Sequence, residues 1–141
     1  MFGHVALADT AVYCIAGVGT PVGLGGGEIV QGIGSMFEMT VGVGIGLAAT
    51  ASGATLPNML QWAAMPRLHL GDRSNALTIG AGVSGGGVRD LYVVWANIEV
   101  GSEVMSPDGW AFRYFFGYGH GFASGDSFNI PYAGVGIGRF F

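Results

Sequence analysis

The stretch Met39-Thr40-Val41-Gly42-Val43-Gly44-Ile45-Gly46-Leu47-Ala48 decides the fold. It opens a charge-free run, residues 39–66. That run exceeds the roughly 20 apolar residues of a membrane-spanning helix, so a helix has to be weighed. The three glycines argue against it. On a helix they would scatter around the axis, each costing about 1 kcal/mol relative to alanine. On a strand they share one face, opposite Val41, Val43, Ile45 and Leu47. A repeat of two residues is the period of a strand.

The same alternation runs outward in both directions. Phe37 and Met39 join the apolar face, while Glu38 and Thr40 join the other. Trp62, Ala64, Leu68 and Leu70 oppose Gln61, Ala63, Met65, Arg67 and His69. Leu77, Ile79, Ala81 and Val83 oppose Thr78, Gly80, Gly82 and Ser84. Tyr92, Val94, Ala96, Ile98 and Val100 oppose Val93, Trp95, Asn97, Glu99 and Gly101. Trp110, Phe112, Tyr114, Phe116 and Tyr118 oppose Ala111, Arg113, Phe115, Gly117 and Gly119. Val135, Ile137 and Phe141 oppose Tyr132, Gly134, Gly136 and Gly138. One face is apolar throughout, and the other is polar or tiny. That is the two-sided pattern of a membrane barrel, apolar outside and polar inside.

Two further strands fit upstream, over residues 12–20 and, more weakly, 27–33. The total of eight is even, as single-chain bacterial barrels require. The expected fold is all-β: an eight-stranded antiparallel transmembrane barrel with up-and-down connections, spanning residues 1–141 as one domain. Pro66 is the exception, because it interrupts a strand in a barrel that has no free edge. A bulge or kink is expected there.

Composition agrees. Charged residues are 10% of the 141, against about 25% in ordinary soluble domains. Too few charges exist to coat a water-facing surface. Half the residues are hydrophobic, which excludes a disordered tail. The net charge of -4, with no lysine and no basic patch, excludes a nucleic-acid binder. Cys14 stands alone and makes no intrachain disulfide. The first ten residues carry no signal-peptide pattern, so a processed form is expected.

Short turns are expected at residues 33–35, 71–74 and 106–109, and longer loops at 49–58 and 121–131. The triplets Gly25–Gly27 and Gly85–Gly87 read as loop tips. Neither leads into a helix or a Gly-Lys-Ser/Thr ending, so neither is a phosphate loop. Short turns mark the periplasmic end of a membrane barrel, which places both termini on that side. An eight-stranded barrel is just wide enough for side chains to fill it. Glu38, Arg67, His69, Glu99, Glu103 and Arg113 all face inward near the periplasmic end. They are expected to pair and plug the lower lumen. On the outer face Phe37, Trp110 and Phe141 would form one interfacial girdle, and Trp62, Tyr92 and Tyr118 the other.

The chain closes on Pro131-Tyr-Ala-Gly-Val-Gly-Ile-Gly-Arg-Phe-Phe141. This resembles the C-terminal strand of small eight-stranded bacterial outer-membrane barrels, which end in a terminal aromatic with alternating apolar residues before it. Ala133, Val135, Ile137 and Phe141 match, Tyr132 lies on the same strand, and Arg139 departs where the family often has Tyr. The resemblance implies residence in the bacterial outer membrane and recognition of this strand by the barrel-assembly machinery. Its role is then expected to be structural, anchoring or partner-binding, through the lipid bilayer and the external loops. Two alternatives are a narrow pore for small solutes and a lipid A-modifying enzyme using His120. The lipid-deacylating members pair a histidine with a serine two residues on, and here residue 122 is Phe. Ser124 and Asp126 lie further along. A nucleophile needs its base within hydrogen-bond reach, so no catalytic residue is assigned. His4, His69 and His120 have no metal-ligand spacing, and no cofactor is expected.

Overall fold

A chain that alternates apolar with small or polar residues must hide one face from water and the other from apolar surroundings, and closing the sheet on itself does both. The computed structural model describes residues 10–49, 55–72, 74–88, 91–123 and 125–141. Eight strands fill them: β1 (Thr10–Thr20), β2 (Gly23–Ile33), β3 (Phe37–Ala49), β4 (Thr55–Asp72), β5 (Asn75–Val88), β6 (Leu91–Met105), β7 (Trp110–Ala123) and β8 (Asp126–Phe140). Each pairs antiparallel with its sequence neighbour, and β1 pairs with β8 to close the barrel. No helix occurs among the described residues. The segment 39–48 is strand, with Val41, Val43 and Ile45 outward and Gly42, Gly44 and Gly46 inward.

The end that carries Thr10 and Phe141 is called the lower end here. Its turns are short: Gly34–Met36, the Asp72–Asn75 corner and Ser106–Gly109. At the corner, Asp72 Oδ1 accepts bonds from the Ser74 hydroxyl (2.5 Å) and from the N–H groups of Asn75 (2.9 Å) and Ser74 (3.0 Å). The same bonds hold the Asp72 carboxyl below the usual carboxylate range.

The upper end differs from the sequence expectation. Only Pro21–Val22 joins β1 to β2, and β7 and β8 extend to residues 123 and 126. Of the long loop expected at 121–131, residues 121–123 and 126–131 are therefore strand, paired from Gly121↔Phe128 to Tyr118↔Pro131. Of the long loop expected at 49–58, Ala49 belongs to β3 and residues 55–58 to β4, and residues 50–54 lie outside the described residues. Gly25–Gly27 and Gly85–Gly87 are likewise strand, not loop tips. Gly26 faces Gly44 across the β2–β3 ladder, and a Cβ on it would press on Gly44 Cα at 2.8 Å. These glycines let the backbones approach.

Pro66 makes no bulge. The β4–β5 pairing simply omits Met65 and Pro66 between Ala64↔Val83 and Arg67↔Gly80, with register unchanged. Its partner on the other side, Met39, is kept. The missing N–H thus falls in a gap of one ladder. Register shifts occur elsewhere, between Ala16 and Thr20 and between Gly46 and Ala48.

Gly44 makes a sharp test of the close approach. A Cβ there would meet the Gly25 carbonyl oxygen at 2.5 Å and Gly26 Cα at 2.9 Å, whereas one at Gly25 meets only Ile15 O at 3.7 Å. Gly44→Ala should destabilise the folded barrel by about 1–3 kcal/mol, as overpacking does. Gly25→Ala should stay within about 0.5 kcal/mol, as an unobstructed surface change does. Urea unfolding in detergent micelles measures both, and equal losses would contradict the packing described here.

Candidate functional site

Inside a barrel this narrow, a charged side chain has nowhere to go except toward another side chain. All four glutamates of the chain, Glu28, Glu38, Glu99 and Glu103, are buried in the lumen. The described aspartates, Asp72, Asp108 and Asp126, sit at turns or strand ends. The division follows from reach, since a glutamate's extra methylene carries its carboxylate toward the barrel axis.

Arg67 and Arg113 organise the layer. They are 2% and 0% exposed. Arg67 Nε and Nη2 hold Glu99 Oε1 at 3.1 and 3.0 Å, and its Nη1 donates to Thr40 Oγ1 at 2.5 Å. Glu28 and Glu38 lie 3.6 and 3.9 Å from the same Nη1. Arg113 Nη2 donates to Glu28 Oε2, so Glu28 bridges the two arginines. The rings of Tyr13 and Phe115 stand 4.9 and 5.2 Å from the Arg113 guanidinium. Nε and Nη1 of Arg113 find no hydrogen-bond partner, and the two ring faces supply cation–π attraction to the same group. Below this layer His69 Nε2 sits 3.5 Å from Glu38 and 3.4 Å from Glu103, and the Tyr13 hydroxyl donates to Glu103 at 2.7 Å.

All six residues expected in the network face inward and join it. Glu28 is the member that sequence reading missed. It lies on the weakly patterned, glycine-rich β2, whose apolar alternation alone is too diluted to assign a facing. The parity of that strand, with Glu28 and Val30 buried and Ile29 exposed, was the available signal.

The layer divides the lumen. Above it, Ile15, Val22, Met65, Phe115 and Tyr132 fill the cross-section. Val22 reaches this layer from the β1–β2 turn, which folds into the barrel: a Cβ on Gly42 would meet its Cγ1 at 2.7 Å. Higher still lies a cavity of about 130 Å³ lined by Gln61, Ser84, Trp95 and Asn97. At the lower mouth a second cavity of about 80 Å³ is lined by Glu38, His69 and Glu103. Trp95 lines the upper cavity, while Phe115 and Tyr132 belong to the filled layer.

On the outer wall, Phe37, Trp62, Tyr92, Trp110, Tyr118 and Phe141 are all exposed. Trp62 and Tyr92 meet over Gly85, the indole N–H donating to the phenol oxygen at 2.7 Å. Arg139 lies over the Trp110 ring at 5.6 Å. The aromatics are not confined to two rings. On β7, Phe112, Tyr114 and Phe116 fill the interval between Trp110 and Tyr118. Of the C-terminal residues, Val135, Ile137 and Phe141 face outward, and Tyr132 faces inward, donating to Ile98 O at 3.1 Å.

His120 is partly covered and shares its face of β7 with Tyr118 and Phe122. Its Nδ1 lies 2.6 Å from Asn129 Oδ1. Asp126 pairs with Ala123 further along β8, and Ser124 lies outside the described residues. No group of His, Cys, Asp and Glu suited to a metal ion occurs among the described residues. No protein-family model, curated protein or solved structure matches this chain.

Removing one partner from a buried ion pair strands the other charge. Glu28→Ala should therefore cost about 3–5 kcal/mol of folding stability. Adding Arg113→Met should recover most of that loss, because both charges then leave together. Urea titration of the two variants decides the matter. A loss below about 1 kcal/mol, typical of a solvated pair, would contradict the buried network.

Proposed function

We propose that this chain is an integral outer-membrane barrel whose plugged lumen fits it for an anchoring, structural or partner-binding role. One observation carries the reading: the polarity is inverted relative to a soluble protein. Arginines and glutamates lie inside, while Ile29, Val43, Leu60, Ile98, Phe116 and Ile137 are exposed outside. In water so much apolar surface on a single chain would drive association. In hydrocarbon it costs nothing, and closure leaves no unpaired strand edge. Every strand has at least 11 residues, enough to cross a bilayer core when tilted.

The exposed Trp62–Tyr92 pair at one end, and Trp110 with Arg139 at the other, suit the two membrane–water interfaces. The outward Val135, Ile137 and Phe141 would present the strand that the assembly machinery reads during insertion. Both termini would then be periplasmic, and a protein partner would meet the upper hairpins. His120, bonded to Asn129 on the outer wall, acts as an interfacial polar residue in this reading and not as a base.

The filled layer at Arg113, Phe115 and Met65 separates the two cavities, which argues against the pore. A folded preparation should migrate differently on a gel when boiled and unboiled, and should give no channel steps in planar bilayers. Identical migration would remove the barrel from consideration. Steady conductance of the unaltered protein would replace the plugged reading with the pore.

A further inference from the structure

The upper cavity is built for a ligand that none of the preceding functions uses. Its volume of about 130 Å³ is close to four waters at roughly 30 Å³ each. Its polar lining is uncharged: Gln61, Ser84, Asn97 and Thr20. Gln61 is 6% exposed, and its Oε1 is buried without a hydrogen-bond partner. A buried acceptor left unmade is costly, and Gln61 lines the cavity, so a turn of its amide brings that oxygen to a donor there.

The room for that amide comes from two glycines. A Cβ on Gly23 or Gly46 would collide with the Gln61 side chain, reaching its Cδ at 2.6 Å in the second case. On the facing wall, Asn97 Nδ2 donates to Ser84 Oγ at 2.7 Å, which leaves the serine's own hydrogen free to be donated. Trp95, held edge-on against Phe128 with ring centres 6.2 Å apart, and Met59 supply apolar surface beside these groups. Exposed Val18, Gly19 and Leu24 form the rim.

The geometry points to a binding site for a small uncharged polyol, of glycerol size, in the upper lumen. Gln61 Oε1 takes a hydroxyl hydrogen, and Ser84 Oγ–H supplies one to a neighbouring hydroxyl oxygen. The methylene faces lie against Trp95 and Met59. A hydroxyl both donates and accepts, which matches a mixed lining. A charged solute finds no counter-charge among the described lining residues, because Arg67, Arg113 and the four glutamates are engaged in the layer below. The same vicinal hydroxyls come from two sources, a free polyol in solution or the glycerol head of a neutral lipid.

Trp95 reports directly. Trp62→Phe with Trp110→Phe leaves it as the only tryptophan, since the chain has three. The folded protein in detergent micelles is titrated with glycerol and, separately, with a monoacylglycerol. A saturable change in Trp95 emission is expected with at least one of them, and glycerate and ethylenediamine should give none. If the monoacylglycerol saturates at a concentration at least tenfold lower than glycerol, the lipid head is the source; comparable or tighter glycerol binding assigns the free solute. Gln61→Leu should weaken binding at least tenfold. Gly46→Ala, which keeps Gln61 but drives its amide into the cavity, should do the same. Heat-modifiable gel migration confirms that each variant is folded. No saturable change in the folded parent, an equal response to the charged solutes, or unaltered binding in both folded variants would overturn the proposal.

Discussion

Arg113 and Arg67, with almost no exposed surface between them, are the constraint from which the interior follows. A guanidinium cannot lose its proton at any ordinary pH. Each must therefore be met by carboxylates or hydrogen-bond acceptors, or the chain would not close around it. Glu28 meets both, Glu99 meets Arg67 through two nitrogens, and Glu38 and Glu103 extend the layer to His69. Pairing on this scale fixes how β2, β3, β4, β6 and β7 sit around the axis. A one-residue slip of any of them would turn its charge to the outer face. The network thus acts as a register device as well as a plug.

The glycines complete the account of why so few charges and so many small residues coexist. Tyr13, Phe115, Tyr132 and the two arginines occupy much of a very small cross-section. A Cβ on Gly134 or Gly138 would collide with Phe115 or Tyr13, and one on Gly117 with Tyr132. Inward glycine on one strand is the space into which a large side chain from another strand is packed. At β2–β3 the purpose differs, and glycine there permits backbones to approach. The outer wall needs no such compromise, and it is there that the large aliphatic and aromatic residues gather.

Much of this was legible in the sequence because the side-chain period of a strand is fixed at two. Once Gly42, Gly44 and Gly46 were read on one face, Arg67, Glu99 and Arg113 could be assigned inward without coordinates. Pairing partners were not legible, since Glu28–Arg113 joins residues on strands β2 and β7 through space alone. Glu28 was lost for a second reason, the dilution of apolar alternation by five glycines in residues 23–32. Loop length also misled. Gly121, Ser127, Asn129 and Pro131 have turn chemistry, yet cross-strand pairing held them as strand. Local preference yields when every backbone group has a partner across the ladder. The upper cavity was the least accessible to sequence reading, because an unpartnered amide oxygen is a property of packing.

The central claim is the inversion of polarity across one wall, and β7 tests it most directly. With Cys14 replaced by alanine, single cysteines from Ala111→Cys to Tyr118→Cys are spin-labelled and the protein is placed in lipid vesicles. Collision with oxygen, which concentrates in lipid, is compared with collision with a water-soluble nickel chelate. The account predicts oxygen accessibility at 112, 114, 116 and 118 alternating with low accessibility to both probes at 111, 113, 115 and 117. Nickel accessibility at the even-numbered positions, or no alternation along the strand, would contradict it.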